Sequence, residues 1–268
     1  MSRRRSFSGM TWNDMKAFLD EKHDLYNNPS FIEADPISIP HRYETLQDRE
    51  ISGFLTATIA WGRRDLILRG AGILMEKMGN APHSFITEAP DDDFVRFSDF
   101  VYRTFNGIDC ILFIRSLRKI YHSYNSMEDI IAEGMKEDGE LTSGIGHLRS
   151  LFFSDCHQRR SEKHFADIKA GAAGKRLNMF LRWMVRHDNR GVDFGLWRRI
   201  SPSQLYIPLD FHSGNTARKL GLLKRNASDW KAVAELTEVL REFDPVDPVR
   251  YDFALFGLGV NERFGCYE

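Results

Sequence analysis

The sequence predicts an all-α protein. Apolar residues recur at three- and four-residue spacing in one segment after another. Helix-starting residues such as Thr11 and helix-ending pairs such as Asn28-Pro29 bracket those segments. No run of four or more alternating apolar and polar residues, the mark of a half-buried strand, recurs along the chain. Together these favour helix packed on helix over any sheet architecture. A length of 268 residues with 42% hydrophobic content is enough to bury a substantial core, as one large domain or as two packed lobes.

The elements follow in order. From Thr11 to Tyr26, Trp12, Met15, Phe18, Leu19 and Leu25 fall on one helix face. Asp35-Pro36 to Pro40 reads as a loop. A second helix covers Asp48 to Trp61, with Ile51, Phe54, Leu55, Thr58 and Ile59 inward, and a third covers Arg64 to Met78. Asn80-Ala81-Pro82 and Ala89-Pro90 are breaks, because proline cannot continue a helix ladder. Asp109 to Tyr121 is a strongly apolar helix, Asn125 to Glu140 a polar segment, and Ile145 to Phe153 another helix. Leu177 to Arg186, Thr216 to Leu222, Ser228 to Phe243 and Asp247 to Phe256 complete the set.

Composition narrows the function classes. No apolar run approaches the roughly 20 residues that span a bilayer. Arg3-Arg4-Arg5 is followed by no apolar signal-peptide core, so a cytoplasmic protein without a membrane partner is expected. Cys110, Cys156 and Cys266 form no Cys-x-x-Cys pair, so neither a disulfide framework nor a cysteine zinc site is supported and the thiols read as reduced. A net charge of -1 argues against bulk electrostatic coating of nucleic acid. Basic residues nevertheless concentrate between Arg149 and Arg199, while acids gather in Asp91-Asp92-Asp93 and from Glu235 to Asp247. That polarity fits either a local phosphate-binding region or a solvated helix face.

Two segments carry chemistry. Tyr206-Ile207-Pro208-Leu209-Asp210-Phe211-His212 is an apolar run stopped by proline, which delivers an acid and a histidine to the start of a helix bearing Arg218 and Lys219. Gly171-Ala172-Ala173-Gly174-Lys175-Arg176 is a glycine-rich turn entering a helix. Leu177, Phe180, Leu181 and Met184 share one face of that helix, and Lys175, Asn178, Arg182 and Arg186 the other. One face packs and the other is expected to meet phosphate, helped by free N–H groups at the helix start. Arg176 stands where a Walker loop needs a hydroxyl, so this is no Walker motif. A plain helix cap is the alternative for either segment: Asp210 as an N-cap or partner of Arg218, Lys175 as a surface phosphate-binding lysine.

Pro208-x-Asp210-x-His212 followed by Arg218-x-Leu220-Gly221-Leu222 resembles the aspartate segment of the helix-hairpin-helix DNA glycosylases. The spacing from Lys175 to Asp210 is most similar in layout to archaeal 8-oxoguanine DNA glycosylases. The resemblance implies two helical lobes with a cleft holding Lys175 and Asp210, lobe A from about 1–45 plus 187–268 and lobe B from about 46–186. It implies excision of a damaged or modified base from DNA. Lys175 would attack the sugar C1′ as nucleophile, Asp210 would stabilise positive charge on the sugar, and His212 would orient Asp210. Arg176, Arg182, Arg186 and Arg218 would hold phosphates, and Trp61, Phe180 or Trp183 would stack on the flipped base. Neither the Leu-Pro-Gly-Val-Gly hairpin nor four cysteines for an iron–sulfur cluster is present, and no cofactor or metal is expected. Ser143-Gly144-Ile145-Gly146-His147 has the look of a hairpin turn but lies too far upstream of Asp210 to serve as this one.

A closer likeness covers nearly the whole chain. Asp35-Pro36, Pro40-His41-Arg42, Asp48-Arg49-Glu50, Ala60-Trp61-Gly62-Arg63-Arg64, Lys175 to Arg186, Pro208 to His212 and Phe243 to Val260 are similar to a bacterial family known only as a domain of unknown function. Two rival readings stay open. Asp35, His41, Asp48 and Glu50 with Asp210 and His212 are hard ligands that a metal-dependent phosphohydrolase could use. The same fold could also serve as a non-catalytic DNA- or nucleotide-binding module.

Overall fold

A computed structural model describes residues 10–264; Arg3, Arg4, Arg5 and Cys266 lie outside the described residues. Helix α1 (Trp12–Tyr26) starts where Thr11 and Asp14 form a reciprocal capping box. After the Asn28-Pro29 break comes the short α2 (Ser30–Ala34), and the predicted loop is two single 3-10 turns, Pro36–Ser38 and Pro40–Arg42. Thr45 caps α3 (Leu46–Thr58). Next come α4 (Arg64–Lys77) and α5 (Pro82–Glu88), the latter lying between the two predicted breaks.

A two-stranded hairpin interrupts the helices. β1 (Val101–Tyr102) and β2 (Phe105–Asn106) pair antiparallel, but two residues each are too short for alternation to register. An Asn106–Asp109 capping box opens α6 (Gly107–Ser123). The segment read as merely polar contains α7 (Met127–Gly134), capped by Ser126 and buried through Met127, Ile130 and Ile131 at helical spacing. In α8 (Leu141–Phe152) the Ser143 to His147 stretch is continuous helix rather than a hairpin turn. A Cβ on Gly144 would stand 2.4 Å from the Ile131 carbonyl oxygen, so glycine here lets α8 approach α7 at backbone distance. The remaining helices are α9 (Lys175–Val185), α10 (Phe211–Lys219), α11 (Trp230–Phe243) and α12 (Tyr251–Asn261).

Contacts group the chain into two compact units. The terminal unit runs up to Phe31 and adds Ala170–Gly195 and Ser201 onward; the central unit comprises Ile32–Lys169 and Leu196–Ile200. Residues 170–186 therefore belong with the chain termini, whereas the resemblance placed them with the central region. Their arginines pair with Asp193 in the following loop, with Asp247 and with Asp252 near the C-terminal end of the same unit.

The terminal unit closes over Met15 and Leu19 of α1, Ile207, Leu209, Ala217, Leu220, Leu236, Leu240, Leu255 and Leu258. Each buried leucine or isoleucine of this kind contributes on the order of 1.5–3 kcal/mol. Helix α12 is notched on both sides by glycine. A Cβ on Gly257 would sit 2.1 Å from the Tyr26 ring, and one on Gly259 would sit 2.9 Å from the His212 Cβ. Substituting Gly257 displaces the Tyr26 ring, and substituting Gly259 crowds α10 at His212 and Thr216.

The central unit is rich in aromatics: Phe54, Phe105, Phe113 and Phe152 meet with centroids 4.8–6.1 Å apart. At its heart the wholly buried Glu50 accepts from the Tyr121 hydroxyl (2.6 Å), Ser126 hydroxyl, Met127 N–H (3.1 Å) and Trp197 N–H (2.5 Å). Four donors satisfy it without a cation, and burial raises its pKa above the usual carboxylate range against those hydrogen bonds. No helix among the described residues is long and apolar enough to cross a membrane.

Candidate active site

The two chemistry-bearing segments deliver their residues to helix starts. Gly174 adopts φ 62°, a left-handed conformation open to glycine, so the chain turns sharply into α9 with Lys175 as its first residue. The turn is anchored by Trp230 N–H donating to the Gly171 carbonyl (3.0 Å). Pro208 and Leu209 are buried, and Asp210 follows as N-cap of α10, its Oδ1 accepting from Ser213 N–H at 2.7 Å. The other carboxylate oxygen faces the lysine: Lys175 Nζ lies 4.0 Å from Asp210 Oδ2, with side chains 35% and 13% exposed. The cap thus uses one carboxylate oxygen and leaves the second facing the amine.

A third ionisable group, missed in the sequence, completes the constellation. Asp252 of α12 is buried, accepts from Ser213 Oγ through Oδ1 (3.3 Å) and binds Arg182 Nη1 through Oδ2 (2.5 Å). Ser213 thus touches both acids, Asp210 with its backbone N–H and Asp252 with its hydroxyl. Burial pushes the Asp252 pKa up to about 6; Arg182 and Lys175 oppose that rise and the charge of Asp210 adds to it. The visible signal was a lone acid inside the otherwise apolar run Tyr251 to Val260. A carboxyl there needs a buried partner.

The expected phosphate face of α9 is not a surface. Arg182 and Arg186 are 3% and 1% exposed. Asp193 bridges them, to Arg182 Nε at 3.2 Å and Arg186 Nη1 at 3.1 Å. Arg186 also meets Asp188 (2.9 Å) and Asp247 (2.8 Å). Despite its burial, the three carboxylates hold the Arg186 pKa above the ordinary arginine value. Both guanidinium groups lie over the Phe253 ring, at 4.4 and 5.4 Å. His23 sits against the same network, and burial first, then Arg250 and Arg186, lowers its pKa to about 4. These arginines tie α9 to the loop after it and to the C-terminal elements, and they do not present donors to a nucleic acid. Trp183 and Phe180 are fully buried, so neither is a surface on which a base could stack.

The other expected contacts are placed as follows. Arg176, second residue of α9, is half-buried, and burial lowers its pKa to about 10. Arg218 is half-buried and donates to the Arg225 carbonyl (2.9 Å) and more weakly to Ala227 and Ser228, closing the loop after α10. His212 lies with its ring perpendicular to that of Phe256 (6.2 Å), with Nδ1 unpartnered, and does not hydrogen-bond Asp210. Trp61 belongs to the central unit, where it stacks on His164 (5.9 Å) and meets Tyr102 edge-on (5.3 Å).

The hard ligands of the metal reading have local duties instead. Asp35 caps a 3-10 turn through Ile37 N–H (3.1 Å), Asp48 accepts from Thr45 Oγ1 (2.7 Å) and His83 N–H (2.9 Å), and Glu50 is saturated by its four donors. Among the described residues no three His, Cys, Asp or Glu side chains gather to hold a metal ion. Cys110 is buried, with burial pushing its thiol up, and Cys156 is exposed; both are free.

Comparison with known proteins gives one match. A family model described as "Protein of unknown function (DUF2400)" covers residues 35–261. No curated protein and no solved structure matches the chain significantly.

Proposed function

Because the chain belongs to the DUF2400 family, whose description carries no reaction, we propose from the site and from the resemblance of its two segments that it is a DNA glycosylase with AP lyase activity that removes a damaged or modified base. The observation that supports this reading is the Lys175–Asp210 pair, an amine 4.0 Å from a carboxylate at the mouths of two helices. Asp210 takes the ammonium proton, and the lysine lone pair forms a bond to C1′ of the nucleotide. The C1′–N bond breaks as the base leaves with its electron pair and a proton. By passing that proton to the departing base Asp210 regains its charge, which stabilises the positive charge that develops on the sugar. The aminal left at C1′ opens as the nitrogen lone pair expels O4′, the C1′–O4′ bond breaking and O4′ taking up a proton, and the Schiff base between Nζ and C1′ then permits loss of a C2′ proton and scission of the C3′–O bond with departure of the 3′ phosphate. Arg176 and the N–H groups of the Gly171–Gly174 turn are the anion-binding groups closest in sequence to Lys175. DNA as partner implies a cytoplasmic location.

The test is borohydride trapping on a duplex carrying an abasic site or 8-oxoguanine, with wild type, Lys175→Ala and Asp210→Asn. Wild type is expected to form a covalent adduct that Lys175→Ala abolishes. No adduct from wild type, or an adduct that survives in Lys175→Ala, overturns the lyase mechanism. DNA binding without any adduct would instead identify a binding module.

A further inference from the structure

The residue that follows Asp210 is Phe211, and it is 68% exposed. Among the described residues it is the one Phe, Tyr or Trp in the exposed class; the rest are buried or half-buried. Its ring meets His212 edge-on at 5.6 Å, and His212 is backed in turn by Phe256. Folding does not call for an aromatic here. Phenylalanine is a mediocre helix former, the cap is made by Asp210, and a phenyl ring left in water forgoes on the order of 2–3 kcal/mol of burial. The expected stacking residues Phe180 and Trp183 are unavailable because they are fully buried. An exposed apolar ring on the residue that follows Asp210, whose carboxylate faces Lys175, fits a ligand that is planar and apolar on one side and ionic on the other, which is the chemistry of a nucleotide.

Resting on the DNA-glycosylase reading, we propose that Phe211 is the stacking surface for an unpaired nucleobase next to the Lys175–Asp210 pair. The ring offers a π-face indifferent to base identity, so its contribution falls on unpaired over paired DNA rather than on one base over another. His212 supports the ring from the side.

The experiment compares the full chain with Phe211→Ala, Phe211→Leu and Phe211→Trp. Affinity is measured by fluorescence anisotropy for a fully paired duplex and for one with an unpaired adenine opposite a tetrahydrofuran abasic analogue. Phe211→Ala is expected to weaken binding to the unpaired-base duplex by about 5- to 150-fold, the range for losing one stacked base, with little change on the paired duplex. Phe211→Trp should keep the preference and Phe211→Leu should lose most of it. Equal affinity of Phe211→Ala and wild type for the unpaired-base duplex, equal losses on both duplexes, or no DNA binding by wild type overturns the proposal. Borohydride trapping run in parallel separates the two readings. An adduct with unchanged Phe211→Ala affinity removes the stacking role alone, whereas lost affinity without an adduct upholds stacking and removes the lyase.

Discussion

Replacing Asp252 with asparagine should flatten the stability of this protein against pH over a defined window. The carboxyl is 6% exposed, and its pKa stands at about 6 against an ordinary 3.8. At 1.36 kcal/mol per pH unit that difference is worth about 3 kcal/mol. A group whose folded pKa is raised holds more protons in the folded than in the unfolded state, so stability falls as pH rises. Below pH 4 both states are protonated and the group contributes nothing. Between about pH 4 and 6 the unfolded chain ionises first, and above about 6 the loss has saturated near 3 kcal/mol. Asparagine keeps the shape and an acceptor for Arg182 but does not titrate. The assay is urea unfolding of wild type and Asp252→Asn at pH 4 to 8, followed by tryptophan fluorescence, with the difference in unfolding free energy plotted against pH. Other carboxylates and His23 occur in both proteins and largely cancel in that difference. The variant should gain on wild type by up to about 3 kcal/mol between pH 4 and 7. Two parallel curves would refute the reasoning, showing that Arg182 and Ser213 compensate the burial of Asp252 in full.

Arg186→Met leaves three acids without their shared cation and should cost about 3–5 kcal/mol in urea unfolding, the usual cost of breaking a buried ion pair from one side; normal stability with weakened DNA binding would restore Arg186 to the phosphate face. Glu50→Gln must set its amide NH2 against a fixed donor, either Met127 N–H or Trp197 N–H, so thermal unfolding should report a loss of about 1–3 kcal/mol, and an unchanged Tm would show that those donors find other acceptors.

The legibility of the site differed residue by residue. Lys175 and Asp210 were readable because each follows a local device, a glycine turn and a proline stop, that fixes where a helix begins. Asp210 also moved the start of α10 to Phe211, ahead of the Thr216 suggested by apolar spacing, since a cap sets a helix boundary that periodicity alone does not. The polar face of α9 was readable as a face but not as to what it meets. Amphipathic spacing shows that Asn178, Arg182 and Arg186 lie on one side, and solvent or phosphate was the natural occupant of that side. The structure fills it with carboxylates, so α9 is buried on both faces.

What the sequence determined by itself is therefore the helical class, most helix positions, the Thr11 cap, the two motif segments and membership of a family. These depend on spacings of three or four residues and on turn chemistry, which act within a few residues of chain. Tertiary structure alone decided that Asp252 joins Asp210 and Lys175, that Arg182 and Arg186 are buried, and that Phe211, among the described residues, is the aromatic left in the open. Arg182 meets Asp252 across 70 residues and Arg186 meets Asp247 across 61. Whether a charged side chain faces water or another charge is set by which distant segment packs on it, and no local pattern encodes that.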